Sequence, residues 1–325
     1  MSSCTEAIEL GELTDVGVVR RRVAAVAARI GLGEVRAGEA ALIATELASN
    51  VVKHARHGGA LLTRSGDALT IATWDRGPGM NLAACLRDGM STAGTPGNGL
   101  GAVARLAPDW DCFTVPGAGT VSVARVAERP PGAAAFAHAA VCVPHAGQEV
   151  CGDAWDVHLA GDRATLLVVD GLGHGAGAAA AADRVIAAFR ADPEAALPLL
   201  LERAHQAARS TRGAAATVVR VDRAARQVTV AGVGNVGAWL VDGNRLRMLV
   251  TQHGTLGHAQ PSQVRQETYP FPRGTQVVVC SDGLKSRLEA PPALFSHPPA
   301  TVATVLWRDH TRGRDDATAA VLQES

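Results

Sequence analysis

The stretch TLLVVDGLGHGAGAAAA, residues 165–181, decides the fold of the second half of the chain. Its first five residues form an apolar run that is typical of a short buried strand, and the run ends at Asp170-Gly171. A segment of small residues that favours a helix comes next. A carboxylate at the tip of a strand, beside a glycine that leaves room around its carbonyl, suits a hard divalent cation. The stretch therefore predicts a strand, a cation-binding turn and a helix, in that order.

Other acidic positions have similar surroundings. QVVVCSDGL ends at Asp282-Gly283, GRDDATAAVL contains Asp315 and Asp316, and VCGDAWDV contains Asp153. All of them lie at the predicted ends of strands. We therefore expect these carboxylates to assemble into one site.

The composition excludes several classes of protein. The chain has 325 residues, 47% of them hydrophobic and 19% charged, and its formal net charge is zero. This neutrality argues against nucleic acid or an anionic membrane as a partner, and 3% aromatic residues offer no stacking platform for bases. The six cysteines include no C-x-x-C pair, and we expect reduced, buried thiols. With no signal peptide and no apolar run that could span a bilayer, we expect a soluble, cytoplasmic protein of two domains.

Apolar residues recur at helical spacing in the first half of the chain. The first predicted helix is capped by Thr14 or Asp15 and runs to about Ile30. The second predicted helix covers about residues 37–55. Since no strand pattern precedes the first helix, we expect a loose start to the chain.

One side of the second predicted helix carries polar residues at spacings of four and three. Glu46, Asn50 and Lys53 project together beside the apolar arc. The carboxylate can orient or deprotonate a nucleophile, and the amide oxygen can bind Mg²⁺. Taken alone, the carboxylate and amide fit a solvated helix edge better than a binding site.

Two glycine-rich segments follow. The predicted strand ALTIATW, residues 68–74, ends in Asp75-Arg76-Gly77-Pro78-Gly79, where an acceptor and a close backbone can bind an adenine amino group. Residues 88–107 then form a glycine-rich loop that leads into a helix predicted to start at about Ala102. Backbone N–H groups at such a helix start can cradle phosphates.

Three of these elements, taken in order, resemble a known family. ELASN, DRGPG and GNGLG are similar to the N, G1 and G2 boxes of the GHKL (Bergerat-fold) ATP-binding domain, over roughly residues 10–126. DGMSTAG, before the last box, is similar to the RsbT branch of bacterial switch kinases, which phosphorylate Ser or Thr on STAS-domain proteins. The resemblance implies an α/β sandwich with helices on one face of a mixed sheet, and binding of ATP with Mg²⁺. The implied roles are Glu46 as general base, Asn50 as Mg²⁺ ligand, Asp75 with Gly77 and Gly79 at the adenine, and Gly97, Gly99 and Gly101 as the phosphate lid.

A change of composition separates the two halves. RPPGAAAFA, residues 129–137, is rich in Pro, Gly and Ala and has no apolar periodicity. We therefore predict one domain over residues 1–128, a linker over 129–137 and a second domain over 138–325.

The second half reads as many short strands with one inserted helical hairpin. The helical segments fall between about residues 176 and 211 and near residues 299–309. This order predicts an α+β sandwich rather than a doubly wound parallel sheet. A dinucleotide-binding alternative remains, because Gly171, Gly173 and Ala176 satisfy G-x-G-x-x-[GA] between a strand and a helix. That alternative leaves the other acidic positions unexplained.

The motifs GD, DGLGHG, GVGN, SDGL and RDDAT resemble the SpoIIE/RsbX branch of the PPM-type serine/threonine phosphatases, over about residues 138–323. The resemblance implies an αββα sandwich that binds two Mn²⁺ or Mg²⁺ ions and hydrolyses phosphate esters. It implies that Asp170 bridges the cations, with Gly171 contributing its carbonyl. It also implies metal ligation by Asp153, Asp282 and Asp315, with Asp316 either a ligand or the residue that orients its neighbour. We interpret His174 as a turn residue and Asn235 as structural.

Together the two resemblances imply a bifunctional switch regulator that phosphorylates and dephosphorylates a STAS-domain protein in a bacterial stress or sigma-factor pathway. One alternative makes the first half an anti-sigma-factor-like binding module without kinase activity. Another makes it a nucleotide sensor that gates the phosphatase. Contact with a downstream regulator or a sigma factor, and a homodimer, are further hypotheses about partners.

Overall fold

The computed structural model describes residues 4–55, 57–85, 99–129, 132, 134–243, 245–259 and 263–325. The chain divides into two compact units, one over residues 5–132 and one over residues 133–325. Each unit has its own sheet structure and hydrophobic core. The predicted α+β class with two domains is confirmed.

The first unit is one five-stranded sheet with helices on one face. Its elements are β1 (Thr5–Leu10), α1 (Leu13–Ile30), α2 (Glu34–His54), β2 (Gly58–Ser65), β3 (Ala68–Asp75), α3 (Leu82–Cys85), α4 (Gly99–Leu106), β4 (Asp111–Val115) and β5 (Gly119–Ala127). The strand order is β1-β2-β3-β5-β4. Every described pair in this sheet is antiparallel, so the expected mixed sheet is wrong in this detail.

The helices of the first unit form where the apolar spacing predicts them. Val19 and Val23 of α1 and Ile43 and Leu47 of α2 are buried in the core between the helices and the sheet. The predicted cap of α1 shifts by two or three residues. Glu12 is the N-cap, and the Asp15 carboxylate accepts the backbone N–H of Glu12, as in a capping box.

β1 was not predicted from the sequence. It pairs with β2 along its whole length, from Thr5 opposite Thr63 to Leu10 opposite Gly58. Only its end residues are buried. A six-residue edge strand with a half-exposed face carries little of the apolar pattern that identifies a strand.

The second unit contains ten strands and three α-helices among its described residues. They are β6 (Phe136–Val143), β7 (Asp153–Ala160), β8 (Arg163–Gly171), α5 (Ala176–Ala191), α6 (Leu197–Ala208), β9 (Ala214–Asp222), β10 (Gln227–Val233), β11 (Gly237–Asp242), β12 (Arg245–Met248), β13 (Glu267–Pro270), β14 (Gln276–Cys280), α7 (Pro299–His310) and β15 (Ala317–Glu324), with a short 3₁₀ helix over Pro292–Ser296. β6 begins at Phe136, so residues 136 and 137 of the predicted linker belong to a strand.

These elements form four layers. The strands make two antiparallel sheets, in the orders β13-β10-β9-β8-β7 and β12-β11-β14-β15-β6. Side chains from both sheets, such as Leu166, Val219, Val277 and Leu322, share one core. α5 and α6 cover the outer face of the first sheet, and α7 packs on β6 and β15 of the second. The predicted αββα sandwich is confirmed.

The dinucleotide-binding alternative is excluded by the pairing of β8. Its neighbours β7 and β9 both run antiparallel to it. A Rossmann unit needs parallel strands joined by a crossover helix.

Within the described residues, no helix is both long enough and apolar enough to cross a membrane.

Candidate functional site

Two carboxylates face each other where the β7–β8 pair ends. Asp153 begins β7, Asp170 lies one residue before the end of β8, and the two are register partners. Directly opposed residues of an antiparallel pair have Cβ atoms about 5 Å apart on the same face. The backbone ladder therefore fixes the spacing of this pair.

The second sheet contributes a third carboxylate from the turn after β14. The backbone N–H of Asp282 donates to the Asp170 carboxylate, which joins the two sheets at this edge. The Asn235 amide Nδ2 lies 2.5 Å from Asp282 Oδ2 and holds that side chain in place. Asn235 therefore belongs to the site, although its motif alone was interpreted as structural. A Cβ on Gly283 would collide with the backbone carbonyl of Asp316, so the turn requires glycine.

Asp316 is buried and ties two loops together. Its Oδ1 accepts the backbone N–H of His145 at 2.8 Å, and its Oδ2 accepts the backbone N–H of Gly152 at 2.9 Å. Asp315 is half-buried, and its Oδ1 accepts the backbone N–H of Asp316 at 2.9 Å. His145 was not identified from the sequence, because a backbone donor more than 170 residues away leaves no local pattern.

The five carboxylates influence one another electrostatically. Burial raises the pKa of Asp170 to about 9, and the negative charges of Asp153, Asp282 and Asp315 add to the rise. Burial likewise raises the pKa of Asp153 to about 7, with Asp316 and Asp315 adding to it. The structure thus brings together all the acidic residues that the sequence singled out in this half.

The donor set fits divalent cations. Asp153 is only 3% exposed, and hydrogen bonds from the Ser281 and Thr318 side chains offset only part of the cost of burying its carboxylate. Crowded, raised-pKa carboxylates of this kind gain stability from a positive charge among them. Among the described residues, no three His, Cys, Asp or Glu side chains converge to enclose one ion. Mg²⁺ and Mn²⁺ keep several waters, so carboxylates that do not enclose one ion by themselves are compatible with binding them.

The loop after Asp170 packs tightly against the start of α5. The N–H of Gly171 donates to the carbonyl of Gly152, and a Cβ on Gly171 would collide with the carbonyl of Ala178. His174 is exposed in this loop and stacks on the His145 ring, with 5.0 Å between ring centroids. His174 is thus near the site in a turn, the position that the sequence predicted for it.

The first unit places its predicted nucleotide-binding residues on three neighbouring elements. Glu46 and Asn50 lie one turn apart on α2 and are half-buried. Glu46 Oε2 lies 2.6 Å from where a Cβ on Gly99 would be, so the start of α4 presses against this carboxylate. Asn50 Nδ2 is buried without a hydrogen-bond partner in the described part of the chain. An unsatisfied buried amide is costly, and a polar ligand would satisfy it.

Asp75 ends β3 and is buried. Its Oδ1 accepts the backbone N–H of Gly77 at 2.7 Å and that of Thr120 at 3.2 Å. The turn that follows presses on α2, because a Cβ on Gly77 would lie 2.9 Å from the Ala55 Cβ. Gly79 has a φ of 72°, and a Cβ there would lie 2.6 Å from the Val115 carbonyl oxygen. Backbone therefore surrounds the Asp75 carboxylate closely.

The predicted phosphate lid is only partly within the described residues. Gly97 and the DGMSTAG segment lie outside them. Gly99 and Gly101 are in the first turn of α4, which starts three residues before the predicted Ala102. Backbone N–H groups of this helix start are therefore available beside Glu46.

Comparisons with known proteins agree with this architecture. The family model "Stage II sporulation protein E (SpoIIE)" matches residues 160–324, and the model "Histidine kinase-like ATPase domain" matches residues 11–124. Phosphoserine phosphatase RsbX of Bacillus subtilis (strain 168) is 27% identical over 142 residues, which are 42% of this chain and 69% of RsbX.

Solved structures match the second unit in fold. One, described as "The bacterial stressosome: a modular system that has been adapted to control secondary messenger signaling", is 27% identical with a TM-score of 0.55. The match covers 58% of this chain and 99% of that one. RsbX in complex with magnesium is 21% identical with a TM-score of 0.53, covering 61% of this chain and 99% of that one, and it shows the shared fold. The chain belongs to the SpoIIE family of PPM-type serine/threonine phosphatases and carries a histidine kinase-like ATPase domain ahead of its phosphatase domain.

Proposed function

We propose that this protein is a bifunctional switch regulator. Residues 138–325 remove a phosphoryl group from Ser or Thr of a STAS-domain partner, and residues 1–128 transfer one to it from ATP. The observation that carries the proposal is the assembly of Asp153, Asp170 and Asp282 at one edge of two sheets, where burial and neighbouring carboxylates raise the pKa values of Asp153 and Asp170.

Each carboxylate has a distinct role in this proposal. Mn²⁺ or Mg²⁺, when bound, supplies Lewis-acid polarisation of the phosphate ester and of water. Asp170 would be the central carboxylate of such a site, because it lies opposite Asp153 and its pKa is raised by the charges of Asp153, Asp282 and Asp315. Asp153 and Asp282 would hold the cations together with Asp170, and the Gly171 carbonyl would be a further, neutral donor. Asn235 keeps the Asp282 oxygen aimed at the site.

The neighbouring residues Asp315 and Asp316 have different proposed roles. Both oxygens of Asp316 already accept backbone N–H groups, so we assign it to positioning the loops of His145 and Gly152. Asp315 acts on the Asp170 carboxyl electrostatically and is half-buried, so we assign it as the direct ligand of this pair.

In the ATP-binding half, Glu46 is proposed to accept the proton of the partner's hydroxyl, and Asn50 to hold Mg²⁺ with ATP. Asp75 is proposed to bind the adenine amino group, with Gly77 and Gly79 leaving space for the ring. The packing of Glu46 against the start of α4 supports this, because that helix start would carry the phosphates.

The choice of partner rests on the relatives. RsbX is a phosphoserine phosphatase, and the structure at 27% identity is described in a bacterial stressosome context. Both support a stress-signalling switch protein, of STAS type, as the phosphorylated partner. The cytoplasm is the compartment in which such a partner and ATP would be found.

The phosphatase half is tested with a STAS-domain protein phosphorylated in advance on serine. We expect Mn²⁺-dependent release of orthophosphate by the wild type and at least a hundredfold slower release by Asp170→Asn. Equal rates for the two proteins, or release that persists in EDTA, would contradict the metal-centre assignment. Asp156→Asn, which alters an exposed ion pair with Arg190 on the same sheet, serves as the control.

The ATP-binding half is tested by equilibrium binding of ATP with Mg²⁺. We expect Asn50→Ala to abolish binding and Glu46→Gln to retain it while losing phosphotransfer. If ATP binds but no phosphoryl group reaches any STAS protein, the anti-sigma-like binding module becomes the better account. A stable complex with a sigma factor on pull-down would then support it.

A further inference from the structure

Arg212 is an exposed arginine in the turn that precedes β9. Its guanidinium forms no ion pair or hydrogen bond with any residue that the structure describes. Other arginines near this sheet form ion pairs, such as Arg190 of α5 with Asp156 and Arg223 with Asp162. Arg212 is therefore a cation with unused donors.

The backbone fixes the position of Arg212 relative to Asp170. The carbonyl of the next residue, Gly213, accepts the N–H of Leu172 at 3.0 Å. Ala214 and Gly171 are register partners on β9 and β8. Arg212 thus lies beside the loop that starts at the proposed bridging carboxylate.

The guanidinium rests on two glycines of that loop and of α5. A Cβ on Gly177 would lie 2.7 Å from Arg212 Nε, and a Cβ on Gly173 would lie 3.5 Å from Nη1. Gly152 lies between this loop and Asp316. A Cβ on Gly152 would be 3.3 Å from the Gly173 carbonyl oxygen and 2.6 Å from Asp316 Oδ2. The guanidinium therefore lies against the segment that joins Asp170 to the start of α5.

A phosphomonoester that approaches this site carries two negative charges next to five carboxylates. Cations can neutralise the carboxylates and part of the phosphate, but the outer phosphate oxygens still need donors from the protein. A guanidinium presents a planar fork of N–H groups that matches two oxygens of a phosphate. Arg212 is exposed beside the loop that follows Asp170, so its N–H groups are accessible to a phosphate at that loop.

We propose that Arg212 binds the phosphoryl oxygens of the substrate and of the orthophosphate product. The inference rests on the proposed phosphatase function and deepens it by naming the side chain that recognises the phosphate. The glycines at positions 173 and 177 serve this role because they leave the space in which the guanidinium lies.

Binding of orthophosphate tests the proposal directly. Calorimetry with Mn²⁺-loaded full-length protein should give a dissociation constant for orthophosphate that is about tenfold or more higher in Arg212→Ala. Arg212→Lys should recover only part of the loss, because it keeps the charge without the fork. Arg209→Ala is the matched control, since Arg209 is exposed in the same segment and contacts only Gln206 among the described residues at hydrogen-bond distance.

Gly177→Ala separates binding from stability. The added methyl would displace the flexible guanidinium, while alanine is a better helix former than glycine. We expect unchanged or higher thermal stability together with weaker orthophosphate binding and a higher KM for p-nitrophenyl phosphate. A purely structural role of Arg212 would not produce this combination.

The outcomes distinguish this inference from the proposed function. Orthophosphate binding by Arg212→Ala within twofold of wild type would overturn the inference, whether or not turnover is seen. Metal-dependent turnover that is equal in the two proteins would do the same and leave the phosphatase assignment standing. A wild type without turnover would instead refute the proposed function, and the binding measurement would still decide the role of Arg212.

Discussion

Replacing Asp316 by Asn tests whether this residue organises the site or binds the metal. The substitution keeps the size of the side chain but turns one carboxylate oxygen into an NH₂ group. One of the two backbone donors, the N–H of His145 or of Gly152, then faces another donor inside the protein. Asp316 is only 2% exposed, so water cannot replace the lost acceptor.

The expected loss of stability follows from that geometry. A buried N–H left without an acceptor costs about 1–3 kcal/mol, and loss of a charge-assisted bond falls in the same range. Asp315→Asn is the matched control, because it removes the same charge from the adjacent position. Both variants relieve repulsion on the Asp153 carboxylate, because the charges of Asp316 and Asp315 both raise its pKa. The difference between the two variants therefore reports the lost backbone hydrogen bond.

The assay is urea unfolding of the full-length protein in EDTA. The transition that is compared is the one that moves to higher urea when Mn²⁺ replaces EDTA. We expect Asp316→Asn to unfold about 1–3 kcal/mol more easily than Asp315→Asn. In Mn²⁺ titrations of phosphatase activity, Asp315→Asn should require more metal and Asp316→Asn should lose activity along with stability. If Asp316→Asn is as stable as Asp315→Asn, the positioning role is refuted.

Further predictions concern charge, packing and metal affinity. Because the pKa values of Asp153 (about 7) and Asp170 (about 9) lie above the ordinary 3.8, the metal-free fold binds more protons than the unfolded chain. The stability of the metal-free protein in EDTA should therefore fall as pH rises from about 4 towards 9. Saturating Mn²⁺ should make the stability less dependent on pH. A melting temperature that does not change with pH in EDTA would contradict this prediction. Gly283→Ala should destabilise the phosphatase unit by about 3 kcal/mol or more, since its Cβ meets a backbone carbonyl, whereas Gly132→Ala, with open space around it, should change little. Asn235→Ala should raise the Mn²⁺ concentration needed for half-maximal activity about 10–100-fold with a nearly unchanged melting temperature, and an unchanged metal requirement would exclude the role we give it.

The acidic cluster could be predicted from the sequence because its carboxylates lie in patterns that are local in the chain. Asp153, Asp170 and Asp282 each lie at or near a strand end and beside a glycine, and both features can be recognised within a few residues. The αββα sandwich follows from the order of strands and helices together with the motifs. The burial of Val19, Ile43 and Leu47 likewise follows from helical spacing.

Features that depend on distant residues could not be predicted. The hydrogen bonds of Asp316 to His145 and of Asn235 to Asp282 join segments far apart in the chain. Whether two strands of the first sheet pair in parallel or antiparallel depends on how the chain connects them. The alternation of apolar residues is the same in both cases, so it does not predict the direction. Among the described residues Arg212 has no ion pair, and this depends on which carboxylates lie near it in three dimensions. No sequence motif predicts that.

The most direct test of the central claim is the amount of phosphoryl group on the STAS partner at steady state. Labelled ATP, Mg²⁺ and Mn²⁺ are mixed with the STAS protein and with wild type, Asp282→Ala, or Asp282→Ala combined with Asn50→Ala. A bifunctional enzyme predicts high label with Asp282→Ala, no label with the double variant, and removal of existing label by added wild type. An absence of label with Asp282→Ala, although it binds ATP, would contradict the kinase half of the account for that partner.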